Sequence, residues 1–453
     1  MGNSPYKSIF WKVAFSTFAG VFLYLPFSGY ELWPLAPLAL MVLLRFKDAT
    51  LWLLTGFVFF FLSLRCAGIA GIEFGGVNPF LFYALFTPFA LLLSLYQFYL
   101  PIRLWQVFFK RLHWTLPFLY VSFELLRSYF PYGGFPWLIL GSLSVYLPIV
   151  KDSMLYLNVY LHSLLWLFTI LFFIQKRFKA LAFLWLVFIF FGLFALWEKD
   201  KKLERASSLK VALVQTAVPQ EDKLSREAFK RHSEDIIGLV EKAVKQKPQL
   251  VVLPESALYF FFSEEDEDYN IKLKGLSAKV PILVGLIDVR EGMKPYNSAY
   301  LLAEGRAVDY YDKVKLFPIG EYMPWPFNFL KDFFPAIGGI DYVSGERLKP
   351  LNYKEIKIAT PICFEVAYFD LVKRLSRGAE LIAVLTNDGW FKNSDCTHQH
   401  YLWGRIRALE NGKYVLWVNN SGDTGFIDPF GRSIKRMPYM KREIVVDEVK
   451  LVP

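Results

Sequence analysis

The hydrophobic and polar positions divide the chain near residue 198. Before that point apolar residues come in long runs; after it they come in short bursts separated by charge. The early runs are roughly 15 to 24 residues each, the length a membrane-crossing helix needs. They fall near 8–28, 30–46, 49–71, 79–101, 114–130, 153–174 and 179–197. Residues 1–198 are therefore expected to form a multi-span α-helical membrane bundle of about seven spans. The second run is short and proline-rich, and the fifth carries Glu124 and Arg127. These two are i,i+3 on a helix and can pair there. The first run lacks a small-residue cleavage site and further spans follow at once, so it reads as a span and not a signal peptide. The segment PYGGFPWLILGS (131–142) is rich in Gly, Pro and aromatics and reads as a loop or re-entrant stretch.

The polar stretch LWEKDKKLERASSLK links this half to a different pattern. Buried-strand runs recur at 210–215, 250–254, 281–287, 356–364, 381–387 and 414–420. A helical period spans 226–246, with Ile236, Ile237, Leu239, Val240 and Ala243 on its apolar side. A second helix fits 400–412, stopped by Gly412. Strands alternating with helices predict an α/β domain over 199–453, its sheet covered by helices. The C-terminal stretch REIVVDEVKLVP offers no further membrane span.

Composition and charge sharpen this picture. The 453 residues are 55% hydrophobic and only 20% charged, with a mean hydropathy of +0.32. The net charge of +10 gathers at the ends of apolar runs, as expected at bilayer edges. No basic stretch interleaved with aromatics suggests nucleic-acid binding. Lys7 and Lys12, Arg45 and Lys47, Arg103, Lys110 and Arg111, and Lys176, Arg177 and Lys179 would all lie on one side, the cytoplasmic one. An odd number of spans then sends the second half to the periplasmic or exterior side. The three cysteines, Cys66, Cys363 and Cys396, form no disulfide framework, and a Cys363–Cys396 bond stays open.

Three motifs sit at the ends of apolar runs: LPES with Glu255, YYDKVKLFPIGEYMPW with Lys313, Lys315 and Glu321, and PICFEV with Cys363 and Glu365. Singly they are ordinary: a loop carboxylate, a solvated lysine, a core cysteine. Together they supply a thiol, a base and a cation. A carboxylate can take the thiol proton during attack. A lysine and the backbone N–H of Phe364 can stabilise an oxyanion. Spacing does not choose between Lys313 and Lys315, since in a strand both face one side.

Glu255, Lys313 and Cys363, in that order and spacing, resemble the Glu-Lys-Cys triad of the nitrilase, or carbon–nitrogen hydrolase, superfamily. More specifically the chain resembles the apolipoprotein N-acyltransferases. It carries GFPWL (134–138), PES (254–256), KLFPIGEYMP (315–324), ICFE (362–365), TNDGWF (386–391), HQH (398–400) and RALENG (407–412). The resemblance implies an α-β-β-α sandwich joined to a membrane bundle. It makes Glu255 the general base, Lys313 the oxyanion stabiliser and Cys363 the nucleophile, with Glu321 and Glu365 in support. Trp390, by its place in the motif, would line the pocket. Lys315 departs from the histidine common there, and the missing last span is a second departure.

The resemblance implies a phospholipid acyl donor such as phosphatidylethanolamine, a diacylglyceryl lipoprotein acceptor, the bacterial inner membrane as location, and no cofactor. The sn-1 acyl chain would pass through a Cys363 thioester to the lipoprotein α-amine. Phe260, Phe261 and Phe262, with Trp325 and Phe327, are too aromatic for ordinary exposed loops and read as arms toward lipid. Asp395, Cys396, His398 and His400 match no common metal spacing, so no metal site is assigned. The alternatives are a membrane-anchored amidase or hydrolase that delivers the acyl group to water, and a binding protein with a degenerate catalytic half.

Overall fold

The computed structural model describes residues 5–223, 226–258, 268–290, 294–328 and 341–453. The chain forms two compact units. The first comprises Met1–Ile72, Val77–Ala195 and Ser394–Leu402; the second comprises Glu73–Gly76, Leu196–Asn393 and Trp403–Pro453.

The first unit is helical: α1 (Pro5–Tyr24), α2 (Ala36–Phe46), α3 (Ala49–Leu64), α4 (Pro79–Ser94), α5 (Leu100–Leu104), α6 (Thr115–Arg127), α7 (Val159–Ile174) and most of α8 (Phe178–Arg205). Helices α3 and α4 begin where a side chain can satisfy the first backbone donors. Asp48 accepts from Leu51 N at 2.9 Å before α3, and Asn78 from Phe80 N at 2.9 Å before α4. Three helical stretches, Ile9–Phe27, Pro79–Phe109 and Phe178–Arg205, are long and apolar enough to cross a membrane. Trp33–Phe46, Ala49–Leu64 and Val159–Ile174 are apolar but shorter. Glu124 and Arg127 do lie on one helix, and each bonds the segment that follows. Glu124 Oε1 accepts from Leu140 N at 2.7 Å. Arg127 donates to Phe135 O at 2.7 Å and to Gln97 Oε1 at 3.1 Å. They therefore fix the 131–142 loop.

The second unit holds α9 (Gln220–Lys223), α10 (Arg226–Lys245), α11 (Asp268–Ser277), α12 (Phe369–Leu375) and α13 (Asp395–Asn411), whose first turns belong to the first unit. It also holds twelve strands in two six-stranded sheets: β1 (Ser208–Gln215), β2 (Leu250–Val252), β3 (Ile282–Arg290), β4 (Lys294–Ala303), β5 (Arg306–Asp312), β6 (Leu351–Tyr353), β7 (Ile356–Ala359), β8 (Leu381–Thr386), β9 (Val415–Asn419), β10 (Gly425–Ile427), β11 (Ser433–Arg436) and β12 (Glu443–Lys450). The orders are β12-β1-β2-β3-β4-β5 and β11-β10-β9-β8-β7-β6. Each sheet has three parallel strands at its centre, β1-β2-β3 or β7-β8-β9, and antiparallel strands outside them. The central strands β3 and β8 are buried along almost their whole length. Strands covered on both faces read as continuous apolar runs, and that is why they were legible. Ile236, Ile237, Leu239, Val240 and Ala243 of α10 are buried against Ala212, Val214, Val251, Leu253, Ile282 and Val284. This is the α/β sandwich anticipated from the resemblance.

Three expectations shift. The 356–364 run is not one strand: β7 stops at Ala359, and Cys363 opens a short 3-10 helix, Cys363–Ala367. Helix α13 starts at Asp395, so the histidines lie inside it. Cys396 pairs with Cys66, across 330 residues of sequence, and Cys363 is the free thiol. Asp395 is likewise engaged within the first unit, accepting from Tyr24 Oη at 2.8 Å and Gly29 N at 3.2 Å.

Unfolded protein alkylated before reduction should carry one label, on Cys363, and three labels after reduction. Closing so long a loop constrains the unfolded chain by up to about 5 kcal/mol. Reduction should therefore lower the thermal unfolding midpoint.

Candidate active site

The site collects at the C-terminal ends of the central strands. After β2, Leu253 and Pro254 lead to a turn carrying Glu255 and Ser256. Ser256 takes a left-handed conformation, φ 46°. Gly285 on β3 makes this turn possible. A Cβ there would meet Pro254 O at 2.5 Å and Glu255 Cα at 2.6 Å. Ala257 N then bonds Gly285 O at 2.9 Å and closes the turn.

Lys313 follows directly on β5. The strand ends at Asp312, so its two-residue period does not continue to 315. The two lysines the sequence left open are thereby separated. Lys313 is 1% exposed, and its Nζ lies 2.9 Å from Glu321 and 3.7 Å from Glu255. Lys315 reaches over the Tyr368 ring, 5.5 Å from its centre. Burial opposes the Lys313 charge, but Glu321, Cys363 and Glu255 hold its ammonium above the usual lysine range.

Asn297, in the middle of β4, ties the acids together. Its Nδ2 donates to Glu255 Oε1 at 2.7 Å and to Glu321 Oε1 at 2.8 Å. Glu321 also accepts from Phe317 N at 2.7 Å. Nothing in the sequence marked Asn297; a polar residue in mid-strand reads as an outward one.

Cys363 stands at the strand-to-helix turn with φ 52°. A non-glycine residue held there is strained, and such strain gathers at functional sites. Cys363 retains part of its surface, yet desolvation pushes its thiol well above the ordinary cysteine value. Glu255 adds to that rise and Lys313 opposes it. The resting sulfur is therefore a thiol, and it needs a base to become a nucleophile.

Glu365 is fully buried and pins the elements together. Its Oε1 accepts from Tyr311 Oη, Val314 N and Lys315 N at 2.9, 2.7 and 2.9 Å; its Oε2 accepts from Ile362 N at 2.8 Å. One carboxylate so joins the Lys313 segment to the Cys363 turn. Burial pushes this carboxyl up to about 7 against those donors.

Phe364 packs edge-on to Phe317, with ring centres 4.9 Å apart. Trp390, in the turn after β8, meets Phe74 edge-on at 5.8 Å. Trp325 is 79% and Phe327 37% exposed. Phe260, Phe261 and Phe262 lie outside the described residues.

Residues 210–452 match the family Carbon-nitrogen hydrolase, and residues 19–171 match the Apolipoprotein N-acyltransferase N-terminal domain. Among curated relatives, Apolipoprotein N-acyltransferase of Aquifex aeolicus is 43% identical over 94% of this chain and 96% of its own length. That of Wigglesworthia glossinidia brevipalpis is 25% identical over 97% of this chain and 92% of its own. Apolipoprotein N-acyltransferase 2 of Treponema denticola is 30% identical over 59% and 54%. The sandwich is thus that of a carbon–nitrogen hydrolase. With the helical half included, the chain belongs to the apolipoprotein N-acyltransferase family, and it is a membrane-bound N-acyltransferase.

Replacing Glu365 by Gln sets an N–H against the Ile362 N–H. One buried donor loses its acceptor, at a cost of about 1–3 kcal/mol. Glu365→Gln should fall by that amount in denaturant unfolding.

Proposed function

We propose that the chain moves the sn-1 acyl chain of a phospholipid, such as phosphatidylethanolamine, through a thioester on Cys363. The acceptor is the α-amine of a lipoprotein's diacylglyceryl-cysteine. In the first step Glu255 takes the thiol proton while sulfur attacks the ester carbonyl. The oxyanion is stabilised by Lys313 and by the Phe364 N–H. The intermediate collapses, the glycerol oxygen leaves and takes the proton from Glu255, and a lysophospholipid departs. In the second step the neutral amine attacks the thioester and gives a proton to Glu255. Sulfur leaves and recovers that proton, and an amide has formed.

One observation carries this reading: Glu255, Asn297, Glu321 and Lys313 form a single buried hydrogen-bonded set, and Cys363 is a free cysteine on which its charges act. That arrangement suits a nucleophile with a dedicated base and a fixed cation. Glu321 and Glu365 position Lys313 and the Cys363 turn, and Trp390 lines the acyl pocket. Exposed Trp325 and Phe327 suit a lipid-facing arm, to which we assign Phe260, Phe261 and Phe262 as well.

We place the catalytic half on the periplasmic side of about seven spans. The basic inter-span loops favour that orientation. The Cys66–Cys396 bond also favours it, since disulfides persist in oxidising compartments.

The test is intact mass after incubation with phosphatidylethanolamine. Wild type should gain one acyl mass and lose it to a diacylglyceryl lipopeptide, and Cys363→Ala should gain none. Glu255→Gln should form the adduct at least about 100-fold more slowly. Release of the adduct as free fatty acid, with the lipopeptide unchanged, would identify a hydrolase instead.

A further inference from the structure

The site holds two buried carboxylates, Glu255 and Glu321, and one lysine between them. A buried charge without a partner is costly, so a further cation near these acids has a use. A second ammonium lies close by, on an element no motif marked. Lys223 ends α9 and is 3% exposed. Its Nζ donates to Ser256 O at 3.2 Å, the carbonyl next to Glu255 in the strained turn. Glu255 is also the charge that acts on it.

The element itself is anchored. Ala217 N bonds Asn420 O at 2.6 Å, and Val218 N bonds Asn420 Oδ1 at 3.1 Å. Gln220 Oε1 accepts from Asn387 Nδ2 at 3.1 Å, and Asp222 meets His232 of α10 at 2.8 Å. So the lysine is brought to the turn from both neighbouring strand ends.

We infer that Lys223 is a positioning residue for the base: it holds the Glu255–Ser256 turn by its hydrogen bond and sets its ammonium against the Glu255 carboxylate. The inference rests on the assignment of Glu255 as base to Cys363. The titratable and charged groups around Glu255 and Cys363 are Lys313, Glu321, Asp388 and Lys223. Burial pushes the Lys223 ammonium down to about 7, with Glu255 opposing. Lys223 is therefore charged through the acid range in which a carboxylate gains its proton, and it loses that charge as pH rises through 7.

The experiment is the rate of Cys363 alkylation by iodoacetamide against pH, in the full chain in detergent micelles. Wild type, Lys223→Gln, Lys223→Met and Lys223→Arg are compared, each also in a Glu255→Gln background. Glutamine keeps a donor for Ser256 O and drops the charge; methionine drops both and serves if glutamine disturbs packing. A cation near a carboxylate favours its ionised form. Without it, the acid limb should move up by about one pH unit, so alkylation on the limb slows about tenfold. The difference from wild type should narrow above pH 7. Arginine should restore the wild-type limb, and in the Glu255→Gln background the substitutions should change nothing further.

An unmoved limb in both charge-free variants overturns the inference, as does an equal effect without the Glu255 carboxylate. Identical profiles for wild type and Glu255→Gln would remove the base itself, and the inference with it. Lack of acyl transfer in the mass experiment, with both alkylation effects present, would refute the proposed reaction and leave Lys223 in its role.

Discussion

One ammonium buried among carboxylates organises the catalytic half. The Lys313 ammonium is favoured because Glu321 and Glu255 lie against it, at 2.9 and 3.7 Å. The acids cannot move away without stranding it, since leaving a buried charge unpaired costs about 3–5 kcal/mol. The geometry of the turn after β2, the strand end of β5 and the 317–321 loop is thereby coupled. Asn297 adds the crosspiece by donating to both acids at once. Glu365 repeats the device with backbone donors, and so carries the coupling on to the cysteine turn. A rigid cation and a placed base are what acyl chemistry at a protonated thiol requires.

The sequence made part of this legible for a physical reason. β2, β8 and the first six residues of β3 are covered on both faces, so they read as nearly continuous apolar runs and stand out from any window. α10 covers one face of its sheet and shows the helical period along its buried side. Glu255 and Cys363 stand just beyond such runs, where an isolated polar residue draws notice. The outer strands were less visible. β4 and β5 mix tyrosine, asparagine and aspartate with apolar residues, because Asp288, Arg290, Ser298, Tyr300 and Asp312 form a polar network along that edge. Asn297 is lost in the same pattern. Lys223 sits in a four-residue helix with no period to read. The Cys66–Cys396 bond joins residues 330 apart, and spacing alone carries no trace of it. The choice of Lys313 over Lys315 came from the resemblance; its physical basis is that β5 ends at Asp312.

The helical half shows the same economy with charge. Glu124 and Arg127 look like an ion pair in a membrane segment, where charges mark function by default. Their partners are instead a backbone N–H, a backbone carbonyl and a glutamine. The loop meets part of its own backbone, as Gly134 N does with Pro131 O at 2.8 Å, but in an apolar setting each group left unmet is expensive. Two ionisable side chains serve that need without making the segment a pathway for ions. Their place in the sequence was therefore informative, while their role came from the loop they hold.

The protonated state of Cys363 bears on how such a thiol could persist on the proposed periplasmic side. Thiol–disulfide exchange proceeds through the thiolate. The chain already carries one disulfide, and a resting thiolate would be open to exchange and oxidation. Desolvation, reinforced by Glu255, keeps the Cys363 proton in place. In the proposed reaction, reactivity then appears only when an electrophile is bound and Glu255 can take the proton during attack. The same burial that makes the nucleophile dependent on its base thus keeps it chemically quiet between turnovers. A more acidic cysteine would attack without help, but it would lose that protection.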